Sequence, residues 1–171
     1  MGEGWETARR WDEGNDWVEI SLAGPGTVSL AEVDTSCFVG NAPGWARITG
    51  TDGRKSGDGS PDVVELLPRT RLQPDTRHRF RLGAAAEVTS ARLDIYPDGG
   101  LARLRLWGML SPGGREALTL RWYDALPADF ARTLLIQEAG LSAGQAADAA
   151  ASRPARTGDR LPPGLREAVT I

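Results

Sequence analysis

An all-β antiparallel sandwich with a short α-helical C-terminal extension is the fold class that this sequence predicts. Three observations carry it. Apolar and polar residues alternate over several short stretches, which is the period of a half-buried strand. The 21 glycines and 11 prolines among 171 residues supply frequent turns, which suits strands better than a helical bundle. Apolar residues at helical spacing appear only late in the chain, at Phe130, Leu134 and Leu135.

Residues 1–16 are rich in Gly and charge and read as a loop. Trp17–Leu22 alternates, with Val18, Ile20 and Leu22 on one face, and AGPG closes it as a turn. Val28–Asp34 is the second strand; Val33 falls out of register with Val28 and Leu30, so a bulge is expected there. TSCFVGNAPGW is a loop, because Gly40-Asn41 and Pro43-Gly44 oppose regular structure, and loops of this kind hold binding groups on a rigid scaffold. Strands at Ala46–Gly50 and Val63–Leu67 flank an exposed, mobile loop, TDGRKSGDGSPD, and a turn at Pro74-Asp75 precedes a strand from His78 to Leu82.

RLDIYPDGGLARLRLWG, Arg92–Gly108, is expected to form a hairpin extending to Leu110. Leu93 and Ile95 share one face, Leu104 and Leu106 another, and Pro97 with Gly99 and Gly100 provides the reversal. Seven short strands thus fill residues 1–110. Residues 111–171 are expected to hold a linker at Ser111–Arg115, an amphipathic helix at Ala128–Ala139 and a weaker one at Gln145–Ala151. A loosely ordered Arg/Pro/Gly-rich stretch, 152–164, follows.

The formal net charge of -3 with interspersed signs gives no electrostatic case for nucleic acid or an anionic membrane. Residues 1–16 read as polar and no run of about 18 apolar residues occurs, so neither secretion nor membrane spanning is expected. Cys37 is the sole cysteine and cannot form an intrachain disulfide, so a cytoplasmic location is expected. His78 is the sole histidine, and no metal-ligand spacing is present. The cofactor is unknown on this reading, with a carboxylate-held divalent ion left open. No phosphate-binding loop or dinucleotide fingerprint occurs. Polar residues in or beside loops are therefore the candidates for chemistry, although each also has a structural explanation as turn, cap or solvated strand residue.

Five phrases, MGEGWETARR, NDWVEISLAGPGTV, VDTSCFVGNAPG, ELLPRTRLQPDTRHRF and RLDIYPDGGLARLRLWG, together resemble the repeat domain of allantoicase over about residues 1–110. The resemblance implies a jelly-roll sandwich like that of galactose-binding domains. It also implies a hydrolase of purine-ureide breakdown that converts allantoate and water to ureidoglycolate and urea. The family carries two repeats in tandem, so the chain looks like the C-terminal repeat without its first strand. Homo-oligomerisation or association with another repeat is expected. Asn15 and Cys37 stand where the family commonly has histidine.

Chemical suitability within those phrases then nominates residues. Arg10 and Arg103 are candidates for the substrate carboxylate, and Asp34 and Asn41 for its ureido groups. Asp98 joins them and is also a catalytic candidate, while His78 and Glu6 are the candidates for proton transfer. The competing reading is a non-catalytic truncated repeat or a galactose-binding-like interaction module. Residues RWYDALPADFARTLL followed by ASRP are in addition similar to the start of the ureidoimidazoline decarboxylase domain.

Overall fold

Alternating side chains along one long strand dictate the layering of this protein, seen here in a computed structural model that describes residues 4–54, 62–83 and 86–155. After a two-residue strand β1 (Trp5–Glu6), β2 runs from Asp16 to Asp34 and serves two layers. β3 (Trp45–Thr51), β4 (Val63–Arg71), β5 (Arg77–Arg81), β6 (Val88–Tyr96), β7 (Gly100–Leu101) and β8 (Arg103–Leu110) complete the sandwich. The first half of β2 pairs antiparallel with β6, Val18 opposite Leu93 and Ile20 opposite Ala91. β6 continues to β3, and β3 to β4. The second half of β2 pairs with β5, from Leu30 opposite Arg81 to Asp34 opposite Arg77, and β2 also takes β8.

The AGPG segment is not the turn expected. β2 is continuous through it, with a register shift between Ser21 and Gly26. Neither Gly24 nor Gly26 adopts a positive φ, so the backbone jogs without reversing. Beyond this jog the buried apolar residues are Val28, Ala31 and Val33, while the pairing with β5 is regular from Leu30 to Asp34. Consecutive Leu66 and Leu67 are both buried beside another register shift in the β3–β4 pair.

Arg92–Gly108 is likewise not a hairpin. β6 pairs with β2 and β3, whereas β8 pairs with β2, so its two strands are not neighbours. The link between them crosses the end of the sandwich: Gly100 N–H donates to Asn41 O at 2.8 Å and Ala102 N–H to Asp34 O at 2.8 Å. Alternation specifies which residues face inward, and here it does so correctly for Leu93 and Ile95, but it does not choose the partner strand.

Ile48 and Leu93 oppose each other across β3 and β6 and are almost fully buried, together with Val33, Val88 and Ile95. Truncating a side chain there removes its transfer energy and leaves a cavity. Leu93→Ala is therefore expected to lower unfolding free energy by about 2–5 kcal/mol, measured by chemical denaturation.

The chain divides into two compact units, Met1–Met109 and Leu110–Ile171. The second contains α1 (Pro112–Ala125), α2 (Ala128–Gln137) and α3 (Ala143–Ala151). α1 replaces the linker expected at Ser111–Arg115. Ser111 caps it by accepting the Gly114 N–H, and Pro112 occupies a position where no N–H is needed. Its apolar residues do not gather on one face and Gly113-Gly114 resembles a turn, which is why periodicity missed it. Ser142 and Gln145 form a reciprocal capping box on α3. Tyr123, Ala131, Leu135, Ala146 and Ala150 form this unit's core. Among the described residues no helix is long and apolar enough to cross a membrane. Most of the loop expected to be mobile (55–61) and of the loosely ordered stretch (156–164) lies outside the described residues.

Candidate active site

The crossing link Pro97–Gly100 is the platform on which one end of the sandwich is assembled. Glu6 pairs with Gly100 in the short β1–β7 ladder. Thr7 N–H donates to Gly99 O at 3.0 Å, and Gly99 N–H donates to the Thr7 hydroxyl at 3.1 Å. From the other side, Asn41 accepts the Gly100 N–H through its carbonyl and donates its side-chain amide to the Glu6 carboxylate. Gly99 has φ +135, and a Cβ there would lie 2.5 Å from Asn41 O, so only glycine permits this approach.

Asp98 completes the cluster. It is 6% exposed, accepts the Arg10 N–H at 2.8 Å and has Arg9 at 3.8 Å. The Arg10 guanidinium is committed to Asp16 at 2.6 Å and Asp12 at 2.8 Å. These partners, Asp16 first, raise the Arg10 pKa. The Asp16 carboxyl is held below its ordinary range by the Thr7 hydroxyl and then by Arg10. Arg10 therefore acts as a structural clamp, and Arg9 is the more exposed cation beside Asp98. Trp5, Arg9, Arg10, Trp11 and Asn15 line an open recess of about 750 Å³ here.

Four nominated residues, Glu6, Arg10, Asn41 and Asp98, are thus brought together, and three are not. The Asp34 carboxylate accepts the Ser36 N–H and faces Arg77 at 3.4 Å and Arg105 at 3.9 Å. Desolvation works against its charge, but the Ser36 bonds and the two arginines keep its pKa lowered. His78 bonds through Nε2 to the backbone of Gln73 and stacks on Phe80 with centroids 6.0 Å apart, which gives the ring a local structural role. Arg103 lines a cleft of about 390 Å³ with Trp5, Val18, Ile20 and Leu93. Cys37 is exposed, and its N–H donates to Asp75.

Glu32 and Asp94 are among the buried carboxylates that sequence reasoning missed. Glu32 is 2% exposed and bound by Arg79 and Arg105, and its pKa is lowered by Arg79 first and then by Arg105, against desolvation. Asp94 accepts from Arg92 and from Asn15. Both sit within alternating strands, where a charged residue reads as solvent-facing. The available signal was the spacing of Arg92 and Asp94 two apart on one strand face. Among the described residues no group of three His, Cys, Asp or Glu side chains is arranged to hold a metal ion.

Two carboxylates, an amide and arginines gather around the Pro97–Gly100 link at one end of a jelly-roll sandwich, which defines a β-sandwich domain with a polar cluster at that end. Residues 1–111 match the allantoicase repeat family. The chain belongs to the allantoicase family. It is 66% identical over 113 residues to a probable allantoicase of Nocardia farcinica, covering 64% of this chain and 32% of that protein. Identity to a probable allantoicase of Streptomyces avermitilis is 48% over 124 residues, covering 72% of this chain and 32% of that one. The solved allantoicase of Saccharomyces cerevisiae superposes with a TM-score of 0.54 at 32% identity, over 62% of this chain and 31% of that chain. The chain spans about a third of the length of these curated relatives.

Proposed function

We propose that this chain acts as an allantoicase module, hydrolysing allantoate to ureidoglycolate and urea in purine-ureide breakdown. The observation that carries the reading is the convergence of Glu6, Asn41 and Asp98 on the Gly99–Gly100 link, within phrases that match the family. The reaction breaks the bond from the central carbon to one ureido nitrogen and forms a bond from that carbon to a water oxygen. The leaving nitrogen gains a proton. Asn41 and Asp98 suit recognition of ureido groups, the exposed Arg9 beside Asp98 replaces Arg10 as the cation for the substrate carboxylate, and Glu6 replaces His78 as the leading proton-transfer candidate. Purified chain given allantoate should release urea. No urea from folded protein, with or without added divalent ions, overturns the proposal.

A second reading, association with another allantoicase repeat or another copy, is favoured by the cleft between Trp5, Val18, Ile20, Leu93 and Leu104, whose lining is largely apolar. It complements the catalytic reading and predicts an oligomer in sedimentation. A cytoplasmic location accords with both. A relationship of α1–α3 to the ureidoimidazoline decarboxylase domain is likewise a proposal, supported by the phrases in α1 and α2 and by ASRP after α3.

A further inference from the structure

Among the described residues, Cys37 with φ 70 and Asp75 with φ 49 are the two residues other than glycine that take a positive φ, and they are bonded to each other. The left-handed region is disfavoured for a residue carrying a Cβ, and such strain persists only where surrounding contacts fix it. Here the contacts are reciprocal. The Cys37 N–H donates to Asp75 Oδ1 at 2.8 Å, and the Asp75 N–H donates to the carbonyl of Phe38 at 3.2 Å. Asp75 lies in the turn between β4 and β5, whereas Cys37 and Phe38 lie in the loop between β2 and β3. Buried Thr35, at the base of that loop, adds a second tie to the same turn. Its hydroxyl donates to Gln73 O at 2.7 Å and accepts the Thr76 N–H at 3.0 Å.

This clasp aims one side chain. The Phe38 ring lies against the bare backbone of Gly100, where a Cβ would come within 2.0 Å of its Cε1, and beside Gly4, whose Cβ would lie 3.0 Å from its Cζ. Gly100 has no positive φ, so the ring, and not the backbone conformation, excludes a side chain there. Gly100 pairs with Glu6 across β1 and β7 and donates its N–H to Asn41 O at 2.8 Å. The Asn41 amide in turn reaches the Glu6 carboxylate. The Phe38 ring and the Asn41 carbonyl therefore hold the same glycine, and both belong to the loop that Asp75 fastens.

We propose that Asp75 and Phe38 are positioning residues for the Asn41–Glu6 pair, Asp75 fixing the strained backbone at Cys37 and the Phe38 ring carrying that placement to Gly100. The consequence for turnover rests on the hydrolase reading; the consequence for the loop does not. Amide hydrogen exchange of the 171-residue chain tests the loop through the Gly100 N–H. Asp75→Gly tolerates the φ and removes the carboxylate, whereas Asp75→Asn keeps an oxygen for the Cys37 N–H and a side chain that accepts this conformation. Asp75→Gly is expected to speed Gly100 exchange about tenfold or more, with the Ile48 and Leu93 amides unchanged and Asp75→Asn like wild type. Phe38→Leu, which lacks the flat ring, is expected to do the same as Asp75→Gly. In urea release, Asp75→Gly should lower kcat about tenfold or more, and Asp75→Asn should retain it. Wild-type Gly100 exchange in Asp75→Gly and Phe38→Leu, or a loss of protection shared equally by Gly100, Ile48 and Leu93, overturns the proposal. Wild-type kcat in Asp75→Gly despite faster Gly100 exchange also overturns it. Faster Gly100 exchange in a chain whose wild type releases no urea keeps the clasp and removes the hydrolase.

Discussion

Asp98→Asn is expected to slow urea release from allantoate by about a hundredfold or more, with little change in the thermal midpoint. The Asp98 side chain is buried and accepts the Arg10 N–H at 2.8 Å. An asparagine oxygen can accept the same bond, so the isosteric change retains the local geometry. What it removes is the negative charge beside Arg9 and the capacity to take a proton. A structural role predicts the opposite pattern: Asp98→Asn nearly as active as wild type. Asp98→Ala strands the Arg10 amide and costs about 1–3 kcal/mol of stability. Steady-state turnover measured alongside thermal denaturation of both variants separates the two roles. Wild-type kcat in Asp98→Asn would remove this residue from the chemistry.

Gly99→Ala should disable the same site through its backbone. Its φ of +135 is unfavourable for an L side chain, and the added Cβ would sit 2.5 Å from Asn41 O and 2.9 Å from Pro43 N. Both neighbours are main-chain atoms, so relief requires the loop carrying Asn41 to move. Strained φ and overpacking each cost about 1–3 kcal/mol, so a loss of at least about 2 kcal/mol is expected. The Asn41 carbonyl that holds Gly100 and the amide that reaches Glu6 shift together, and a displacement of about 1 Å can cost roughly a hundredfold in rate. Gly40→Ala is the control, since its Cβ would meet nothing within 4 Å and its φ is not positive. Comparable damage from both substitutions would show that the loop is intolerant as a whole and that the approach at Gly99 is not special.

The legible part of the site lay in short phrases whose residues act locally. Pro97-Asp98-Gly99-Gly100 announces a reversal, and the loop from Thr35 to Gly44 announces exposed binding groups. Four of the seven nominated residues converge where those two segments meet. His78 attracted attention as a lone histidine, yet its ring closes a bond to Gln73, five residues away, which is local structure. Arg10 was read as a ligand for substrate, but Asp12 and Asp16 already engage it. Asp94 was invisible because its partner Asn15 is 79 positions distant, and an acidic residue in an alternating strand looks solvated.

By itself, the sequence determined that this protein is a sandwich of short strands followed by helices, which faces of those strands are buried, and to which family it belongs. These follow from periodicity, turn chemistry and the order of family phrases, all properties of neighbouring residues. The tertiary structure alone decided that β2 is one continuous strand serving two layers, that β6 and β8 part company, and that Asn15 and Arg92 both bond Asp94. Strand pairing depends on which edges remain free once the apolar faces are covered, and that is a property of the whole assembled sheet.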